Sequence, residues 1–415
     1  MSRAFLHVIL GLCLGWLLGI GPAQAADWTQ WRGPNRDGHA DGFLVPGVWP
    51  AKLKQLWKVE VGEGHASPIV VGDRVFAFSR EGDKEVVRVM NLSDGKEQWS
   101  QSYTAPYSPS PYAASHGKGP KSTPVVAEGR LITVGISSIV SCWDTASGRL
   151  LWQQDFSKKF KEPSSLFYGM AVSPLVVGKR VVAHVGVSGD GALVALDLDA
   201  GKVHWKWDAE GPGYASPILA TLGGTRQLLT QSQAACIGVS PDDGQLLWSI
   251  PFKTEYDQDI ITPVKAGNTV IFAGLAKPTA AYSVGKIDGK PTPEQVWSNK
   301  DLSLYMSSPV LVDGYLYGLA NRSKGQFFCL DALTGKTMWT SEGRMGENAA
   351  LLAAGKVLLA LTTDSQLIVF KADPVRFTQV ASYKVADTAT WAHHAAVGNE
   401  ILIKDKRSLA VWTTD

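Results

Sequence analysis

Short apolar runs, each broken after a few residues by Gly, Asp or Asn, recur from about residue 53 to the end of the chain. The stretch after Ser308 shows the pattern best. Pro309-Val310-Leu311-Val312 is followed by a turn at Asp313-Gly314, then by Tyr315 to Leu319, Phe327 to Leu330, and Thr337 to Thr340. Runs this short, rich in β-branched and aromatic residues and bounded by turn formers, predict strands, here four to a unit, A to D.

The unit repeats. Trp57, Trp99, Trp152, Trp205, Trp248, Trp297 and Trp339 are spaced 42, 53, 53, 43, 49 and 42 residues apart. In the cleanest copies each closes the phrase Asp-x-x-Thr/Ser-Gly-Lys/Arg-x-x-Trp, as in Asp144 to Trp152 and Asp331 to Trp339. Between them, Ser/Thr-Pro recurs at Ser67, Thr123, Ser173, Ser216, Thr262 and Ser308. A period of this length means one supersecondary unit stacked many times. Asp folds its side chain onto nearby amides and Gly supplies positive φ, so the phrase turns strand C into strand D. The tryptophan then sits on the outermost strand, placed to wedge against the next unit. A buried indole removes about 150–250 Å² from water, an upper bound of roughly 4–6 kcal/mol.

Four-stranded sheets repeated around an axis are the blades of a β-propeller. The count reaches eight. A degenerate seventh unit runs from Asn348 to Tyr383, with Tyr383 in the tryptophan's place, and an eighth runs from Trp391 to Trp412 without a strand D. Residues 53–60, around Gln55-Leu56-Trp57-Lys58-Val59, read as the missing strand D, which closes an all-β ring from both ends and satisfies two open edges. The organisation is therefore a leader at 1–25, a loop segment at 26–52, and a propeller at 53–415.

The first residues are the secretory part of this reading. Arg3, an apolar run from Ala4 to Ile20, and Ala23-Gln24-Ala25 predict a cleaved signal peptide and an exported, periplasmic protein; a retained membrane anchor is the alternative. Cys13 follows Leu12, which is a poor lipid-attachment signal. Without the leader, 39 basic and 38 acidic side chains remain, a balance that excludes nucleic acid held through bulk charge. Cys142 and Cys329 stand two residues before the turn Asp in units too far apart to bridge, so they and Cys236 read as small core residues. No transmembrane segment is expected beyond the leader, and a monomer is expected.

Several local motifs dissolve in the repeat. Asp197-Leu198-Asp199-Ala200-Gly201 and Asp242-Asp243-Gly244 fall in C–D turns and lack the other ligands of a calcium loop. Gly117-Lys118-Gly119-Pro120-Lys121-Ser122 lacks phosphate-loop spacing. What survives is positional. Residues just before each strand A converge on the axis: His65; His116, Lys118 and Lys121; Tyr168; Tyr214; Asp257, Gln258 and Asp259; Tyr305; Arg344, Glu347 and Asn348; Trp391, His393 and His394. Polar and aromatic groups gathered on a concave rim suit a small-molecule ligand or a protein partner. The loop Tyr103 to Lys121, rich in Pro and Tyr, is placed to act as a lid or a docking surface. The segment with Gln30-Trp31-Arg32-Gly33-Pro34 is expected to pack on the ring.

The Ser/Thr-Pro and Asp-x-x-Thr/Ser-Gly-Lys-x-x-Trp unit resembles the quinoprotein-type propeller repeat over about residues 53–412. That repeat is shared by pyrroloquinoline-quinone-dependent alcohol dehydrogenases and by the outer-membrane barrel-assembly lipoproteins. The enzyme side of the resemblance implies quinone and calcium at the axial mouth, with Asp259, Glu347 and Asn348 as ligands, Asp257 or Asp259 as base, and Trp391 or a tyrosine stacked on the cofactor. The chain departs from that pattern: no two cysteines are adjacent, and there is no Cys-x-x-Cys-His for a haem. The first expectation is therefore a non-catalytic scaffold that binds through its axial face, with a quinone-dependent alcohol or sugar dehydrogenase as the alternative.

Overall fold

A computed structural model describes residues 27–160 and 166–415; the expected leader lies outside the described residues. Thirty-two strands form eight four-stranded antiparallel sheets. Blades 1 to 7 occupy residues 69–104, 125–155, 175–207, 218–251, 264–299, 310–340 and 349–384, each with its strands in sequence order. Blade 8 takes strands A to C from residues 395–413 and strand D from Lys54–Glu60. The closing strand pairs antiparallel with Ser408–Thr413, from Lys54 opposite Thr413 to Glu60 opposite Ser408. Two short 3-10 helices, Pro111–His116 and Glu255–Asp257, are the helical elements among the described residues.

Each blade tryptophan has a specific place to go. The indole N–H reaches into the C–D turn of the following blade and donates to the carbonyl of the residue after the turn's first position. Trp57 donates to Leu92 at 2.6 Å, Trp99 to Thr145 at 3.2 Å, Trp152 to Leu198 at 2.8 Å, and Trp205 to Pro241 at 3.0 Å. Trp297 donates to Ala332 at 2.9 Å, and Trp339 to Asp373, one residue further along the longer blade 7 turn, at 2.8 Å. The ring lies against the turn glycine: a Cβ on Gly201 would stand 2.5 Å from Trp152, at a φ of +68° that side chains rarely adopt. The turns themselves are held by their aspartates, Asp144 accepting the amides of Ala146 and Ser147, and Asp331 those of Leu333 and Thr334. Asp197 accepts the amides of Asp199 and Ala200 in the same way, so the acidic cluster there is turn geometry.

Two blade junctions depart from the rule for visible reasons. Blade 5 has a long C–D hairpin, Lys277–Ile287 against Lys290–Asn299, in place of the Asp-x-x-Ser/Thr-Gly turn. Trp248 therefore donates to Gln227 of its own blade at 2.5 Å. At blade 7 the Tyr383 hydroxyl donates to Pro50 at 2.7 Å, so the N-terminal segment takes the place of a neighbouring turn.

The Ser/Thr-Pro pairs make a second belt, around the axis. The Ser67 amide donates to Thr123 Oγ1, Thr123 to Ser173 Oγ, Ser173 to Ser216 Oγ, and Thr262 to Ser308 Oγ, at 2.9–3.2 Å. The hydroxyl serves the preceding blade, and the proline that follows carries no N–H to be stranded in the crowded centre. Cys142, Cys236 and Cys329 are buried free thiols, and burial pushes the Cys142 and Cys329 thiols up to about 12.

At the seam, Lys404 is buried and its ammonium donates to the carbonyls of Gly62, Gly64 and Asp405 at 3.2, 2.8 and 3.1 Å. Arg407 adds an ion pair to Glu60. Deleting residues 53–61 should remove a whole edge of blade 8, and calorimetry should show a melting point lowered by more than about 10 °C or no cooperative transition. Lys404→Met strands three carbonyls and should cost about 2–3 kcal/mol in urea unfolding. Gly201→Val should cost about 3 kcal/mol or more, through both the positive φ and the Trp152 ring.

Candidate functional site

Within residues 27–50, the stretch around Trp31 to Arg36 caps one end of the axial channel. Backbone bonds tie Trp28 to Val70, Thr29 to Val126, Gly38 and Ala40 to Ala353, and Gly42 and Leu44 to Gly398. Arg36 donates to the carbonyls of Ser173 and Pro174, Arg32 to that of Pro309 at 2.6 Å, and His39 Nε2 meets the Leu311 carbonyl. The Trp31 indole donates to Thr262 Oγ1 at 2.9 Å, so the plug joins the axial hydroxyl belt. Both arginines are almost fully buried. Desolvation draws them down to about 10 and about 9, which leaves them charged at neutral pH. The sequence suggested packing for this segment; the two arginines and Trp31 give it a definite job as a stopper.

Above Trp31 lies a cavity of about 130 Å³, lined by Trp31, His65, His116, Lys121, Tyr168, Ala171, Tyr214, Ser216, Ile260, Met306, Ser308, Trp391 and His393. Seven of the axial residues expected from sequence meet here: His65, His116, Lys121, Tyr168, Tyr214, Trp391 and His393. They are assembled from loops leading into strand A of blades 1, 2, 3, 4 and 8. Ring contacts set the shape. Trp31 and His393 form the floor with centroids 4.2 Å apart. His116 stands edge-on to Tyr168 at 4.8 Å and to Trp391 at 4.9 Å, and Tyr168 meets Tyr214 at 5.9 Å. The Tyr168 hydroxyl bonds that of Tyr305 at 3.0 Å, and Tyr305 donates on to Gln258 at 2.6 Å, which links the loops before blades 3, 6 and 5.

The histidines of this chamber are neutral. His65 is held well below its usual range by burial, then by Lys121 and Lys404. His116 is lowered by burial and Lys121, and His393 well lowered by burial and then Arg32. His65 Nε2 meets the His116 carbonyl at 3.1 Å, so the proton sits there and Nδ1 is left as an acceptor. Burial brings Lys121 down to about 8 against the pull of Glu63 and Glu85.

Other expected residues lie elsewhere. Lys118 is exposed, and its amide, not its ammonium, is fixed by the Glu63 carboxylate at 2.8 Å. Tyr305 is not among the lining residues and meets the chamber through Tyr168. Glu347 and Arg344 line a separate depression with Lys324, Asp364 and Trp391. Asn348 is buried beside that depression, at the start of blade 7, and His394 is fully buried behind the chamber wall, lowered to about 3. Asp259 is fully buried against Gly213 and beside Thr254, and burial, with Asp257 nearby, raises it to about 8.

The loop expected from Tyr103 begins two residues later. Tyr103 is in strand D of blade 1, stacked on Trp143, with its hydroxyl donating to the buried Glu85 carboxylate at 2.5 Å. From Ala105 the chain does fold toward the axis and delivers His116 and Lys121 to the chamber. Its far end is pinned, since the Pro120 carbonyl accepts the amides of both His65 and Ala66.

The donor set bears on the quinone expectation. Pockets for cofactor-sized molecules run about 300–1,000 Å³, well above this chamber's volume. Glu347 and Asp259 do not share its walls, and Glu347 lines a different depression, so the expected ligands are not brought together. A tricyclic quinone with its calcium ion does not fit these residues.

These features define the class: a closed eight-bladed propeller of the quinoprotein type, with one axial end stoppered by its own N-terminal segment. The family model described as outer membrane protein assembly factor BamB matches residues 84–341, and the chain belongs to that family. It is 24% identical to the assembly factor of Yersinia pestis over 337 residues, covering 77% of this chain and 68% of that protein. With that of Moranella endobia it shares 23% over 258 residues, covering 59% and 63%. Among solved structures, BamB from Moraxella catarrhalis superposes with a TM-score of 0.62 at 16% identity, covering 87% of this chain and 99% of that one. The quinohemoprotein alcohol dehydrogenase from Comamonas testosteroni gives 0.68 at 12% identity, covering 94% and 80%. At such identities the structures speak for the fold alone. No described helix is long and apolar enough to cross a membrane.

The Asp259 carboxyl makes a pH prediction. Its folded pKa lies above the unfolded value of 3.8, so the folded form holds a proton that the unfolded form releases. That contribution to stability is full below about pH 4 and declines as pH rises toward 8. Asp259→Asn should therefore be more stable than the parent by on the order of 2 kcal/mol at pH 8, with the difference vanishing near pH 4 in denaturant titrations.

Proposed function

We propose that this chain is an exported, non-catalytic scaffold that serves outer membrane protein assembly by presenting the loop-bearing axial face to a protein partner. The observation that carries the reading is the family match across residues 84–341, which spans blades 1 to 6. The surface supports it. On the loops that surround the mouth, Tyr112 is 88% and Tyr256 75% exposed. Large aromatics with few rotatable bonds are favoured anchors in protein interfaces. The opposite end of the axis is occupied by the plug, so the loop-bearing end is the one offered.

The test is made in the parent bacterium. Removing the gene should lower the amount of folded β-barrel protein in the outer membrane, and crosslinking to the tagged chain should recover components of the assembly machinery. Tyr112→Ala with Tyr256→Ala should cut that recovery at least tenfold while the melting point holds. Unchanged barrel levels, together with turnover of an alcohol by the pure protein, would overturn the proposal.

A further inference from the structure

The axial chamber has a use that a scaffold does not require. Its walls are flat and apolar: Trp31 below, Trp391, Tyr168 and Tyr214 around the side, with Met306 between loops. No carboxylate is among its lining residues, whereas Lys121 contributes an ammonium whose one hydrogen bond is a long 3.5 Å contact to the Gly119 carbonyl. Behind the floor stands the buried guanidinium of Arg32. Glu63 and Glu85, the carboxylates that act on Lys121, are not among the lining residues, so the charge presented to the chamber is the ammonium.

Hydroxyl groups stand in the same space. Ser216 and Ser308 accept amides from Ser173 and Thr262, which leaves their own O–H groups free to turn toward a guest.

We propose that this chamber is a binding site for a small planar anion, an aromatic carboxylate of about benzoate size. The ring stacks among Trp31, Trp391 and Tyr168, and the carboxylate takes Lys121 and a serine hydroxyl. A cavity of about 130 Å³ is the right size for one such ring. The site is independent of the protein-binding face, because Tyr112 and Tyr256 do not line it.

The experiment is a titration of the purified full chain with 4-fluorobenzoate, followed by fluorine NMR and by calorimetry. One saturable site is expected, with a fluorine shift from the surrounding rings. The neutral 4-fluorobenzamide should bind at least tenfold more weakly. Lys121→Met should weaken the acid at least tenfold, while Lys118→Met, a change at an exposed neighbour, should leave it unaltered. Met306→Trp, which fills the chamber from another loop, should abolish binding with the melting point retained. Absence of saturable binding, equal binding of acid and amide, undiminished binding by a folded Met306→Trp, or equal losses in the two lysine variants would each overturn the site. Capture of the assembly partner should be indifferent to all three substitutions.

Discussion

The indole of one blade lying on the turn glycine of the next is the contact on which this molecule depends. Each four-stranded sheet is small, and its two faces have no cover except its neighbours. The tryptophan buries apolar area across the junction, and its single polar atom ends on a carbonyl of the turn. That carbonyl points the right way only because Asp and Gly have already shaped the loop. Turn chemistry and interblade packing are thus one device, which is why the residues form a single phrase in the sequence. Where the fifth blade replaces the phrase with a long hairpin, Trp248 turns back onto Gln227 and the coupling is lost at that junction.

The inner belt solves a different problem. Eight strands A crowd about the axis, where backbone amides are hard to satisfy and water is scarce. Serine and threonine hydroxyls accept the amides of the preceding blade, and proline removes the next donor. The plug extends this solution with side chains. Arg32 and Arg36 take the free carbonyls of blades 6 and 3, and Trp31 completes the belt at Thr262. Burying two guanidinium groups is costly, and here the cost is offset by carbonyls that would otherwise be unpaired. The same stopper leaves a chamber of modest size above it, with cationic neighbours and aromatic walls.

How far the sequence was legible follows from these two belts. The blade count, the seam and the roles of Trp57 through Trp339 were readable because the period repeats them, and repetition averages out local ambiguity. The axial cluster was readable by position: His65, His116, Lys121, Tyr168, Tyr214, Trp391 and His393 share one place in the unit and meet in space. Glu347 and Asp259 share that place too, yet each loop turns differently, and the side-chain direction within an irregular loop has no period to reveal it. Trp31 was expected only to pack on the ring, and its place as the chamber floor escaped because it lies outside the repeat. Its signal, in hindsight, was a run of Trp and Arg among Gly and Pro, a composition too rich in large side chains for a simple connector.

The seam between Lys54–Glu60 and Ser408–Thr413 has a consequence in time. The first strand of the ring finds its partner some 350 residues later, as the numbering of the pair shows. Until the last blade exists, residues 54–60 remain an open edge, and the stopper, which touches blades on every side, has no complete channel to enter. Non-local pairing of this kind slows folding and prolongs exposure of unpaired strands. The intermediate blades can assemble in turn through their tryptophans, but the ring locks in one late step, when the chain's beginning and end are sewn into the same sheet.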